Sequence, residues 1–439
     1  MVKKGYKKTE VGVIPEDWEV KYLKQISPSQ SVGLVINPSS YFDEKGTVPS
    51  LVGSQISENH INWEIANRIT EASNESLPAS RLKAGDLVTV RVGEPGITAV
   101  VPPELDGCNC ASMMIVRQHP SFNSLWLCYM MNSRLGKAQI NHVQYGTAQK
   151  QFNISDAIDF IYPVPPFPEQ KTIAQTLSDV DALIAALDKH IAKKRNIKTG
   201  TMQQLLTGKT RLPGFGEGKG YKKTEVGVIP EDWKISHISN LTLSHKQGYY
   251  TKEKYVVNGT RLVRITDLYN PKIDYESMPM LSISDKDFEQ YKIAIGDFLF
   301  ARSGAIGRYG IVKDKINAIF GSYIIRFNFK TDRLLNDFFG YLFETKIIFN
   351  QLLSITQGSS NININAGNIK SLKIALPSIT EQQALAQVLS DMDKEITALE
   401  KRRAKTQAIK QGMMQELLTG RTRLKIEHPD DPITKNSNG

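Results

Sequence analysis

The sequence predicts an α+β protein in which two mixed, strand-rich domains alternate with two long helices, the whole being an internal repeat. Three observations predict this. The stretch GYKKTEVGVIPEDW at residues 5–18 recurs letter for letter at residues 220–233, a match too long for chance. A second pair follows at nearly the same offset: residues 165–212 align with 377–424, with 27 of 48 positions identical. Within that pair the apolar residues fall in strict four-three steps, the spacing of a coiled-coil seam. The order of segments is therefore A-B-A-B.

Between the matched segments lie two stretches, about 19–162 and 234–376, that resemble each other only in outline. Gly85-Asp86-Leu87-Val88 followed by Arg91, Gly93 and Gly96 matches Gly296-Asp297-Phe298-Leu299 followed by Arg302, Gly304 and Gly307. Each reads as a strand running into a glycine turn. Further on comes a polar loop, GTAQKQFN at 146–153 and GSSNININ at 358–365, and then an apolar run ending in proline. The pattern over 334–353 predicts a helix.

Pro168-Glu169 and Thr380-Glu381-Gln382-Gln383 read as helix starts, the second with capping-box spacing between Thr380 and Gln383. The seam of the first helix is Ile173, Leu177, Val180, Ile184, Leu187 and Ile191, and that of the second is Leu385, Leu389, Met392, Ile396 and Leu399. A lone amphipathic helix would pack on its own domain. Two matched copies with one seam point to the helices pairing with each other. Gly200 and Gly412 are candidate bends or ends, and Thr207-Gly208 reads as a helix stop.

Of the 439 residues 40% are hydrophobic and 23% charged, the profile of a soluble globular protein. No apolar run reaches the roughly 18 residues of a membrane span, and the basic N-terminus leads into no apolar stretch. A cytoplasmic protein with no membrane partner is expected. Cys108, Cys110 and Cys128 are too few and too clustered for a disulfide framework, and no histidine stands at zinc-ligand spacing from them. No metal is expected. The net charge of +10 favours a polyanionic partner.

Catalytic constellations are missing. Thr207-Gly208-Lys209-Thr210 resembles the end of a phosphate-binding loop, but Gln203 stands where that loop needs glycine. The glycine-rich stretch 214–220 neither follows a strand nor opens a helix, so it reads as a linker. There is no nucleophile-elbow serine, no zincin motif, no phosphotransfer signature, and no Asn-Pro-Pro-aromatic or Asp-Pro-Pro-aromatic tetrapeptide of an amino-methyltransferase. A binding protein is the better reading. Gln, Asn, Arg and Lys on loops are the side chains that read base edges and hold phosphates. The candidate DNA contacts are Arg91, Gln149, Lys150, Gln151, Arg302, Arg308, Asn361 and Asn363. Arg91 and Arg302, at matched positions, are either phosphate clamps or braces of the turn.

The chain resembles the specificity (S) subunits of type I restriction-modification enzymes. The resemblance is carried by the PEDW starts at 15–18 and 230–233, the GD-x(4)-R-x-G turns at Gly85 and Gly296, the entries PPFPEQ and LPSITEQ, and the exits QLLTGKTRL and ELLTGRTRL. In duplicated order these motifs span nearly the whole chain. The resemblance implies target recognition domains at 1–164 and 220–376, conserved helical regions at 165–212 and 377–424 pairing as an antiparallel coiled coil with pseudo-twofold symmetry, a linker at 213–219 and a polar tail at 425–439. It implies a non-catalytic subunit whose two domains each read one half of a bipartite, asymmetric site in double-stranded DNA. The helix-seam residues would serve pairing and partner docking. Two methyltransferase (M) subunits and restriction (R) nuclease-translocase subunits would be the partners, and they, not this chain, would use S-adenosylmethionine, ATP and magnesium. The first copy departs from the family turn, reading RVGEPG where the second reads RSGAIG. The alternative is a non-catalytic coiled-coil scaffold or adaptor whose basic domains bind protein or nucleic acid without sequence preference.

Overall fold

A computed structural model of the chain describes residues 2–35, 37–147, 149–302, 307–356 and 364–425. It divides into two compact units, Met1–Asp188 with Lys401–Gly439, and Lys189–Glu400.

In the first unit an antiparallel sheet runs in the order Thr98–Val100, Leu87–Val90, Met113–Val116, Gln30–Val32. Its strands alternate in the way a two-residue period requires. Val88, Val90, Met113 and Ile115 enter one core, with Val48 and Leu51 of a smaller three-stranded sheet. Leu87, Met114 and Val116 enter the other, with Trp126, Leu127 and Met130 of helix Ser124–Asn132. The central strands are thus covered on both faces and read as continuous apolar runs. The smaller sheet contains a parallel pair, Val48–Leu51 beside Asn109–Cys110.

The second unit repeats this plan with other side chains. Its sheet runs Tyr309–Ile311, Phe298–Ala301, Ile324–Phe329, Thr242–Gln247, and its parallel pair is Thr260–Val263 beside Ala318–Phe320. Phe298 and Phe300 face a core rich in stacked and edge-to-face rings, while Leu299 and Ala301 face the other. Both strand-to-glycine-turn expectations hold as far as the residues are described.

Three local expectations are corrected. The helix expected over 334–353 is two helices, Asn336–Phe343 and Lys346–Thr356. The break is made by tight three-residue bonds from Glu344 N to Tyr341 O and Thr345 N to Leu342 O. The capping box expected at Thr380 is displaced, because the helix starts at Ile379 and the Ser378 hydroxyl accepts from Glu381 N at 3.3 Å. The two long helices, Phe167–Leu205 and Ile379–Leu417, run through Gly200 and Gly412 unbroken. They end instead just before Gly208 and Gly420, each at φ +69°, the left-handed stop that glycine adopts freely. Among the described residues no helix is long and apolar enough to cross a membrane, and no group of His, Cys, Asp or Glu is arranged to hold a metal ion.

Candidate nucleic-acid interface

The repeated motifs meet in space. In the first unit Trp18, fully buried, donates its indole N–H to Glu169 Oε2 at 3.0 Å. Arg423 grips the same carboxylate through Nε and Nη2, at 2.5 and 2.8 Å, and reaches Asp17 with Nη1 and Nη2, both at 2.9 Å. Tyr6 Oη donates to Gly420 O at 3.0 Å. The second unit has the same set: Trp233 to Glu381 at 3.0 Å, Arg211 to Glu381 at 2.5 and 2.8 Å, Arg211 to Asp232 at 3.0 and 3.1 Å, and Tyr221 to Gly208 O at 3.2 Å. The Arg423 hydrogen bond holds the Asp17 carboxyl below its ordinary range, and Arg211 does so for Asp232. The neighbouring glutamines fasten each domain to its helix, since Gln170 Oε1 accepts from Asn123 N and Gln382 Oε1 from Leu335 N.

The helix seam is only partly a seam. Ile173 and Leu177 are buried in the first domain's core with Met414 and Leu417 of the other long helix, and Leu385 and Leu389 lie in the second core with Met202 and Leu205. Leu187, Ile191 and Ile396 are buried, while Val180, Ile184, Met392 and Leu399 are half-buried. In the first unit Lys410 pairs with Asp181 at 2.5 Å and Arg403 with Asp188 at 2.8 Å. In the second, Lys198 pairs with Asp393 at 2.7 Å, Lys194 with Glu395 at 2.6 Å and Arg195 with Glu400 at 2.5 Å. A tyrosine from each domain joins in, Tyr129 donating to Asp181 at 2.7 Å and Tyr341 to Asp393 at 2.9 Å. Burial pushes both phenols up.

The two segments singled out for DNA contact in the first domain pair with each other. Val92–Gly93, which directly follows Arg91, bonds antiparallel to Lys150–Gln151 of the polar loop. Gln149 and Lys150 are exposed; Gln151 is half-buried and exchanges both backbone bonds with Tyr145 at 2.9 Å. Arg91 itself is tied down. Its Nε donates to Phe152 O at 3.3 Å, and its own carbonyl accepts from Phe152 N.

At the matched place in the second domain, Arg302 O accepts from Ile364 N at 2.8 Å, repeating the backbone bond. Its side chain differs: Arg302 Nε is buried and has no hydrogen-bond partner among the described residues. Arg308 is exposed, and its side chain makes no hydrogen bond or ion pair among the described residues. Asn361 and Asn363 lie outside the described residues.

Next to Arg302 is a cleft that sequence reasoning missed, about 460 Å³ in volume and lined in part by Tyr249, Thr251, Tyr255, Arg264, Ser322 and Tyr323. Tyr323 O accepts from Arg302 N at 2.8 Å. Tyr255 and Tyr323 are 60% and 63% exposed, and Val257, two residues after Tyr255, is 90% exposed, so the cleft presents aromatic rings to solvent, whereas the Arg264 guanidinium is held by Asp267 at 2.8 and 3.1 Å. Strand register shows how the first domain differs. Leu34 N and Tyr249 N make equivalent bonds, to Cys110 O and Phe320 O, and the pairs Met113 with Val90 and Ile324 with Ala301 are equivalent. The chain from Phe320 to Ile324 is one residue longer than that from Cys110 to Met113, so Ser322 and Tyr323 stand where the first domain has Ser112 alone. The signal that could have revealed this surface is the run YYTKEKYVV at 249–257, with three tyrosines and two lysines.

The model of the Type I restriction modification DNA specificity domain matches residues 15–195 and again 230–411. Among similar proteins are the Type I restriction enzyme MjaVIII specificity subunit of Methanocaldococcus jannaschii, 26% identical over 436 residues and covering 94% of each chain, and the putative MjaX specificity subunit of the same organism, 27% identical over 440 residues and covering 96% of this chain and 97% of that one. The fold is like that of the S subunit of a type I restriction-modification system from M. genitalium, with TM-score 0.54 at 13% identity, over 91% of this chain and 96% of that one.

Proposed function

Because the chain belongs to the Type I restriction modification DNA specificity family, we propose that it reads a bipartite, asymmetric site in double-stranded DNA, one half with each domain, and carries no catalysis of its own. One observation carries this reading. The two units repeat the same strand plan and the same Trp-Glu-Arg-Asp junction, yet present unlike groups where Arg91 and Arg302 stand. A common frame with unlike faces is what two unlike half-sites require.

The long helices pair as an antiparallel coiled coil on a pseudo-twofold frame. The ion pairs support this: in the first unit positions 181 and 188 meet 410 and 403, so numbers rise on one helix as they fall on the other. Methyltransferase subunits dock on this frame and methylate DNA with S-adenosylmethionine; restriction subunits join them and use ATP and magnesium. The cofactors belong to those partners.

The test is to assemble the chain with its methyltransferase partner and map methylated positions across a genome. Replacing residues 19–162 with their counterpart from a relative should change one half-site and leave the other intact. A change in both halves together, or methylation without sequence preference, would overturn the reading.

A further inference from the structure

We propose that an apolar groove beside the repeated hairpin in the second unit, and the matched surface in the first, each seat an apolar segment of the methyltransferase partner that is flanked by acidic residues. The inference rests on the proposed recruitment of methyltransferase subunits and names where, and by what chemistry, they hold on.

In the second unit the groove is about 550 Å³, with Met202, Leu206, Val228, Ile229, Ile347 and Ile374 among its apolar lining. Lys209, Lys346 and Lys373 line it too. Lys373 is paired with Glu225 at 2.5 Å, whereas Lys209 and Lys346 are exposed and make no side-chain hydrogen bond or ion pair among the described residues. The carboxylate in the lining, Glu344, accepts from the Tyr309 hydroxyl at 2.9 Å. An apolar trough with free cations on its rim complements an apolar segment carrying acidic neighbours.

The repeat supplies the second argument. Ile229, Pro230 and Trp233 are buried, so packing alone accounts for their recurrence as Ile14, Pro15 and Trp18. Packing does not account for Val228 and Val13, which are 57% and 45% exposed, nor for Lys223 and Lys8, which are exposed as well. These positions are nonetheless identical, while the helical copies agree at only 27 of 48 positions. The rim is matched in kind: Arg421 stands at the position of Lys209 and Arg134 at that of Lys346, both exposed, and Met414 and Leu418 repeat Met202 and Leu206. Surface identity that folding does not require fits one partner bound twice.

The test uses the full chain mixed with its methyltransferase subunit, with stoichiometry and affinity read by native mass spectrometry and titration. The unaltered chain should bind two copies. Val228→Glu should lose one copy, weakening that site roughly 30-fold, the effect of a strong interface residue, and Val13→Glu with Val228→Glu should lose both. Because both valines are exposed, melting temperatures should stay unchanged. Lys209→Glu with Lys346→Glu, which leaves the apolar wall intact, should also weaken one site, and more so at low salt. Two copies bound with unaltered affinity by the doubly substituted chain would overturn the inference and leave the proposed function standing. An unaltered chain that binds no methyltransferase would overturn both. Substitutions that instead change self-association of the chain, or its affinity for a DNA duplex, with methyltransferase binding intact, would also overturn it.

Discussion

Arg423 closes on Glu169 across 254 residues of chain, its Nε 2.5 Å from one carboxylate oxygen and its Nη2 2.8 Å from the other. The glutamate side chain is 1% exposed, so its charge is tolerable only with this cation and the Trp18 indole in place.

Arg423→Ala and Arg211→Ala should each destabilise the unit that holds them, by about 2–4 kcal/mol, because each leaves a buried carboxylate without its cation. Arg211→Ala should cost more. Its side chain is 11% exposed against 36% for Arg423, so water can replace less of what is lost. Denaturant titration of the full chain measures this; equal and negligible losses would show that the carboxylates are hydrated after all.

Acid should loosen the same junctions. Asp17 and Asp232 have folded pKa values held below the ordinary carboxylate range, first of all by hydrogen bonds from Arg423 and Arg211. The unfolded state therefore takes up protons first as pH falls. The contribution is fully present above the unfolded value of about 3.9 and disappears as pH drops through the folded values. Melting temperature followed from about pH 5 downward should fall more steeply for the unaltered chain than for Asp17→Asn with Asp232→Asn.

The matched arginines should behave differently. Arg91 donates to the carbonyl of buried Phe152, so Arg91→Ala should lower stability by about 1 kcal/mol. Arg302 has no such partner among the described residues, so Arg302→Ala should leave the melting temperature unchanged while weakening DNA binding and reducing its salt slope by about one. Affinities measured over a range of salt concentrations decide between them. Unchanged DNA binding with a lowered melting temperature for Arg302→Ala would make it a brace instead.

Glycines in and beyond the long helices should give opposite signs. A Cβ on Gly200 or Gly412 meets nothing within 4 Å, so alanine there should stabilise by roughly 0.5–1 kcal/mol each. A Cβ on Gly208 or Gly420 would lie 2.5 or 2.4 Å from a Pro230 or Pro15 ring atom, at φ +69°, so alanine there should destabilise. Thermal melts of the four variants give the comparison directly.

The alternation of two mixed domains with two long helices was legible in the sequence because repetition and apolar spacing are properties of residue order. The junctions were legible only as motifs. Trp18, Glu169 and Arg423 lie far apart along the chain, and no periodicity links a PEDW start to the exit of the other copy. The helix break at Glu344 was hidden because apolar residues continue across it and neither Gly nor Pro marks it. Arg91 and Arg302 read as equals, since what separates them is which carbonyl comes within reach. The tyrosine cleft escaped because Ser322-Tyr323 is one residue longer than its match, Ser112, in a domain that sequence alone does not align residue by residue.

The junction has a consequence for connectivity. Tyr6, Asp17 and Trp18 meet Gly420 and Arg423 through the same contacts by which Tyr221, Asp232 and Trp233 meet Gly208 and Arg211, although only the second set is joined directly, through residues 213–219. Noncovalent contacts at one junction thus match those that peptide bonds reinforce at the other. A copy of that tether placed between Leu424 and Gly5, with a cut within residues 213–219, would therefore produce a permuted polypeptide with every one of these partners unchanged.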